Sequence, residues 1–162
     1  MATTLKNLSE TNLKEEKVFR KFSIGIVVSE WNSTITEALL EGALEYLRSK
    51  GVKEKNILLR RVPGSFELPL GAQFLAAHKE VDGILALGCV IQGETRHFDF
   101  ICDAVAHGIM DVGLTFNKPV AFGVLTTENE AQAKARAGGK HGNKGIEAAE
   151  TVLKMLLTKA AG

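Results

Sequence analysis

Apolar residues arrive along this chain in two alternating rhythms. Residues 22–29, FSIGIVVS, are dense in Ile and Val and predict a strand buried on both faces. Ile35, Leu39, Ala43, Tyr46 and Leu47 then recur at helical spacing until Gly51, and Thr34 and Glu37 stand at capping-box separation near the start of that helix. Residues 57–62 predict a second strand, closed by Pro63-Gly64, with a helix over 66–79 behind it. The cycle repeats as a strand over 84–91 and a long helix over 95–116, then a strand over 120–125 just after Pro119. Two helices finish the chain, over 129–137 and 146–160, separated by the glycine-rich GGKHGNKG. Residues 1–17 are polar and without period, so a flexible or docking tail is expected there, with one domain over 18–162.

Strands that alternate with helices and read as near-continuous apolar runs require a parallel sheet covered on both sides. The expected fold class is α/β: a three-layer, flavodoxin-like domain whose open parallel four-stranded sheet carries helices on both faces. Ligands of such sheets bind where the carboxyl ends of the strands empty into loops. The unusual residues of this chain fall at those ends. Glu30, Trp31 and Asn32 follow the first strand, and Ser65, Phe66 and Glu67 the second. Gln92 to His97 follow the third, and Thr126 and Thr127 the fourth.

Composition narrows the classes without choosing among them. The chain has 162 residues, 45% of them hydrophobic and 24% charged, with a formal net charge of +1. That balance gives no overall pull toward nucleic acid or a membrane surface, and no apolar run is long enough to span a bilayer. No basic segment followed by an apolar one opens the chain, so no secretory signal is expected. Two cysteines, Cys89 and Cys102, are too few for a disulfide framework, and a reducing cytoplasm is the expected home.

Each candidate residue has a plain reading beside a chemical one. Gly93-Glu94-Thr95 leads into a helix whose free N–H groups and dipole attract phosphate, or else Thr95 is simply its cap. His97 lies one turn into that helix; an imidazole with an ordinary pKa near 6.5 moves protons at neutral pH, or it is a solvated surface residue. His78, His107 and His141 read as surface residues, with Asp103 and His107 spaced as a helical surface pair. Trp31 is either a core anchor or a stacking platform at a loop mouth. Arg136 either faces a helix C-terminus or clamps an anion. GGKHGNKG lacks the Gly-Lys-Ser/Thr ending of a phosphate-binding P-loop, and the dinucleotide fingerprint is missing after the first strand. No His, Cys or carboxylate spacing suggests a metal.

Longer motifs go further. SEWNSTIT, VPGSFELP, GCVIQGETRHFDF, PVAFGVLTTEN and RAGGKHGNKGIEAA resemble, in this order, the motifs of the lumazine synthase family, over nearly all of residues 22–157. The resemblance implies condensation of 5-amino-6-(D-ribitylamino)uracil with 3,4-dihydroxy-2-butanone 4-phosphate, without metal or cofactor. It implies that Trp31 stacks on the pyrimidine, that Ser65, Phe66 and Glu67 hold the ribityl chain, and that the backbone of Cys89, Val90 and Ile91 reads the ring edge. Glu94 and Thr95 match the phosphate-binding helix start, Arg136 its cationic clamp, and His97 the proton-transfer residue. Phe122 and Lys144 match residues lent by a neighbouring subunit, and Glu147 an acidic position near the histidine. Gly139 stands where a threonine is commoner. Glu94 sets a carboxylate beside the implied phosphate, which requires its side chain to point away. A homopentamer is implied, with an icosahedral shell of twelve pentamers as its larger form and riboflavin synthase as a possible companion.

Two other readings fit the same architecture. A flavodoxin-like flavin carrier would place its phosphate loop after the first strand, where Ser29, Ser33, Thr34 and Thr36 offer hydroxyls but Glu30-Trp31 fills the turn. A shell protein without activity would have no use for His97 and Arg136.

Overall fold

The computed structural model describes residues 17–161 together with Ser9, Leu13 and Lys14. Four strands, β1 (Ile24–Ser29), β2 (Ile57–Val62), β3 (Gly83–Ile91) and β4 (Val120–Thr127), form one sheet in the order β2-β1-β3-β4. Every pairing in it is parallel, with Ile24 opposite both Ile57 and Gly83, and Ile84 opposite Val120. The helices are α1 (Ser33–Ser49), α2 (Leu68–Ala76), α3 (His97–Phe116), α4 (Glu130–Arg136) and α5 (Lys144–Ala161).

Alternation along the strands assigns each helix to a face. Ile24, Ile26 and Val28 of β1 join Leu85 and Leu87 of β3 in one core, roofed by Leu40, Ala43 and Leu47 of α1 and Ala149, Val152 and Leu153 of α5. Val27, Ile84 and Ala86 point the other way, against Leu68, Ala72 and Leu75 of α2 and Val105, Ile109 and Val112 of α3. Both faces of β1 and β3 are thereby buried, which is why these strands read as unbroken apolar runs rather than alternating ones. The expected three-layer α/β domain is the one found.

The boundaries differ from the pattern in instructive places. The Thr34/Glu37 capping box does not form. Asn32, in the left-handed region at φ 59°, starts α1 with its own carbonyl, which accepts from Ile35 N at 2.8 Å and Thr36 N at 3.1 Å. Glu37 instead takes Arg61 of β2, whose guanidinium holds the carboxyl below its ordinary range. α3 begins at His97 rather than at Thr95, so His97 is its first residue, not one turn in. α2 is preceded by a separate 3-10 turn, Ser65–Glu67, and α5 starts at Lys144, two residues earlier than the apolar period indicates. Thr126 and Thr127 belong to β4 instead of following it. The glycine-rich stretch is a small antiparallel ladder of β5 (Ala137–Gly139) and β6 (Gly142–Asn143). Asp103 and His107 do form the expected exposed pair, with Nδ1 3.2 Å from Oδ1.

Most of the expected tail lies outside the described residues. Of those described, Leu13 packs on the α1/α5 core and its carbonyl accepts from Lys50 Nζ at 2.6 Å.

Candidate active site

The strand order reverses direction between β1 and β3, and the first site opens at their carboxyl ends. β3 overruns β1: the last paired residues are Val28 and Leu87, so the backbone from Gly88 to Ile91 continues past its neighbour on that side. A concavity of about 440 Å³ forms there, lined by Trp31, Ser65, Phe66, Val90, Ile91 and His97 among others. Three of the four strand-end segments therefore meet in one place, as the sequence pattern predicts.

Its floor is held by hydrogen bonds as well as by apolar packing. Asn32 Nδ2 donates to Cys89 O at 3.1 Å, and Ser65 Oγ donates to the same carbonyl at 3.5 Å. Gly88 makes this approach possible, since a Cβ there would stand 2.8 Å from Ser65 Oγ and 2.7 Å from Leu68 Cδ1. The Cys89 carbonyl is thus occupied from within the chain, leaving Val90 and Ile91 to offer backbone at the mouth. Burial pushes the Cys89 thiol up to about 11, so this sulfur is no nucleophile at neutral pH. Glu67 does not line the concavity. Its carboxylate accepts from Gly64 N at 3.0 Å and closes the turn that presents Ser65 and Phe66.

The walls are exposed. Trp31 is 73% accessible and Phe66 57%, a large apolar area left uncovered at the mouth. His97, Glu94 and Thr95 are exposed as well, and His97 N donates weakly to Thr95 Oγ1 at 3.4 Å. Because α3 starts only at His97, Glu94 and Thr95 form an irregular lead-in at the rim, and they do not line the concavity.

The remaining sequence-predicted residues lie elsewhere on the same chain. Phe122, Arg136, Lys144 and Glu147 line a second concavity of about 990 Å³ beside β4, α4 and the β5–β6 ladder. Arg136 Nη2 lies 2.7 Å from Glu147 Oε1, and Lys144 Nζ lies 3.2 Å from Glu147 Oε2. Arg136 Nη1 also donates to the carbonyl of His141. Two cations share one carboxylate, so the cluster keeps an excess positive charge facing the opening. Glu147 is therefore far from being a partner of His97 within one chain: the two line different concavities, and no described residue lines both.

Sequence reasoning passed over Asn32 as a hydrogen-bond donor, and Gln132, Asn129 and His141 as neighbours of the arginine. An Asn between a buried strand and the start of a helix is a usable signal, because Asn tolerates the left-handed region. The others had none. Among the described residues, no group of three or more His, Cys, Asp or Glu could hold a metal ion, and no helix is long and apolar enough to cross a membrane.

Residues 21–160 match the family described as 6,7-dimethyl-8-ribityllumazine synthase. A protein of that name from Cytophaga hutchinsonii is 67% identical over 132 residues, covering 82% of this chain and 83% of its own. Others of the same name come from Parabacteroides distasonis, 51% identical with 96% and 98% covered, and Porphyromonas gingivalis, 50% identical with 96% of each covered.

Proposed function

Because the chain belongs to the 6,7-dimethyl-8-ribityllumazine synthase family, we infer that it is the transferase of riboflavin biosynthesis that condenses 5-amino-6-(D-ribitylamino)uracil with 3,4-dihydroxy-2-butanone 4-phosphate. The amine attacks the ketone, the carbinolamine loses water, and phosphate leaves. A second condensation then closes the ring with loss of another water. Every step moves protons, and none requires an activated nucleophile.

One observation supports a division of labour. The aromatic, backbone-rich concavity at β1 and β3 suits a flat heterocycle, and the cationic one beside α4 suits an anion, yet in one chain they are separate. We assign Trp31 to stacking on the pyrimidine, Ser65 and Phe66 to the ribityl side, with Glu67 holding their turn, and the backbone of Val90 and Ile91 to the ring edge. His97 is assigned to proton transfer, Glu94 and Thr95 to the phosphate rim, and Arg136 to the phosphate itself. The complete site then arises where one subunit's first concavity meets the second concavity of its neighbour, which brings Phe122, Arg136, Lys144 and Glu147 to His97. A ring of subunits satisfies this repeatedly, and a homopentamer is the form proposed. Exposed Leu70 and Phe74 on α2 and Met110 and Leu114 on α3 supply apolar surface for it. Assembly of pentamers into a shell, association with riboflavin synthase and residence in the cytoplasm extend the same proposal.

Holding the two reactants in register supplies much of the acceleration, since orientation alone contributes about 7–11 kcal/mol in well-aligned systems. The test is an assay with both substrates: fluorescent lumazine and inorganic phosphate should appear together, and only when both substrates are present. Purified protein that forms no lumazine from the pair would overturn the assignment.

A further inference from the structure

Asn143, 7% exposed, is the last residue of β6 and stands directly before α5. Both polar atoms of its side chain are engaged. Oδ1 accepts from Gly145 N at 2.8 Å, capping the start of α5, while Nδ2 donates to Ala38 O in α1 at 2.9 Å. Its backbone pairs with Ala137 of β5, and it exchanges hydrogen bonds with Ser9, whose Oγ donates to Asn143 O at 3.1 Å and accepts from Asn143 N. The amide lies against Gly42, where a Cβ would stand 2.5 Å from Nδ2. One buried amide thus ties together α1, the β5–β6 ladder and α5.

Its neighbours in sequence and ladder are the members of the cationic cluster. Lys144 follows it, Glu147 lies on the first turn of the helix it caps, and Arg136 precedes its ladder partner Ala137. We propose that Asn143 is a positioning residue, which holds the Arg136–Lys144–Glu147 cluster in place against α1 and thereby sets the affinity for the phosphate-bearing substrate.

The inference rests on the reading of Arg136 as the phosphate ligand. The experiment measures KM for each substrate on the full-length protein in three single variants and in the Asn143→Asp/Arg136→Ala double variant. Asn143→Asp keeps the acceptor for Gly145 N but turns a carboxylate oxygen toward Ala38 O. Gly42→Ala leaves Asn143 in place and drives a methyl into its amide. Arg136→Ala reports the cluster itself. Asn143→Asp should raise KM for the butanone phosphate about tenfold and leave KM for the pyrimidine unchanged, and the effect should vanish in an Arg136→Ala background, as expected for residues acting as one unit. Gly42→Ala should reproduce the same split, without the gain in melting temperature that alanine brings to a helix interior. If the Asn143 and Gly42 variants raise both KM values equally, or lower only the folded fraction, Asn143 is merely structural and the inference falls. Arg136→Ala with an unchanged KM for the butanone phosphate would overturn the phosphate reading as well.

Discussion

Arg136 and Glu147, eleven residues apart in sequence, meet at 2.7 Å with both side chains only 17% exposed. The ladder between them folds the chain back so that a helix end faces a helix start. A largely desolvated pair of this kind, with Nη1 also donating to the His141 carbonyl, holds the guanidinium in one orientation. Arg136→Ala should raise KM for the butanone phosphate about 10- to 100-fold, the equivalent of a charge-assisted contact worth about 1.5–3 kcal/mol. Glu147→Gln should do the same more weakly, because the arginine remains but loses its guide. Isothermal titration with the phosphate substrate checks both, and an unchanged affinity in Arg136→Ala would remove the clamp.

His97 is exposed at the first position of α3 and does not belong to the buried core. His97→Ala should leave the melting temperature and pyrimidine binding as they are and lower turnover by about two orders of magnitude, the lower end for a general acid–base group. Turnover equal to the unaltered protein would take His97 out of the chemistry.

Trp31 offers a sharper separation of binding from stability. With 73% of its surface exposed in the single chain, it contributes little to the core. Trp31→Ala should weaken the pyrimidine by about 1–3 kcal/mol, the usual worth of stacking a base on an aromatic. Circular dichroism melts should barely shift. Loss of affinity for the butanone phosphate alone would reverse the assignment of the two concavities.

Subunit mixing tests the shared site directly. His97→Ala and Arg136→Ala assemblies should each be weak. In rings refolded from equal amounts, about a quarter of sites should combine an intact His97 with a neighbour's intact Arg136. Activity should rise well above either parent. Mixed rings, verified by mass, that show only the parental average would place both residues in one chain's pocket.

The Cys89 thiol supplies a pH dependence with a defined sign. Its folded value near 11 lies above the ordinary 9.0 because burial disfavours the thiolate. A raised folded pKa contributes stability that is fully present below pH 9 and is lost as pH rises toward 11, where the unfolded chain ionises first. The melting temperature of the unaltered protein should therefore fall more steeply between pH 9 and 11 than that of Cys89→Ala. Parallel profiles would mean that the thiol is not held neutral by the fold.

Sequence alone determined the layers of this protein, because burial on two faces leaves its mark on every strand residue. The runs from Ile24 to Ser29 and Ile84 to Ile91 can be satisfied only in the middle of a covered parallel sheet. It also indicated which residues come together, since strand ends in such sheets empty into one crevice, and Trp31, Ser65 and His97 do meet there. Details carried by single hydrogen bonds were not legible. Thr34 and Glu37 have the spacing of a cap, but Asn32 in the left-handed region displaced them and Arg61 claimed the glutamate. The glycine-rich stretch has no apolar period, so its ladder and the buried amide of Asn143 are visible only once α1 lies beside it. Tertiary structure alone decided that Glu147 partners Arg136 across the ladder, and that this pair lines a different concavity from His97. Period and propensity act over a few residues, whereas the meeting of two charged side chains depends on where whole elements pack.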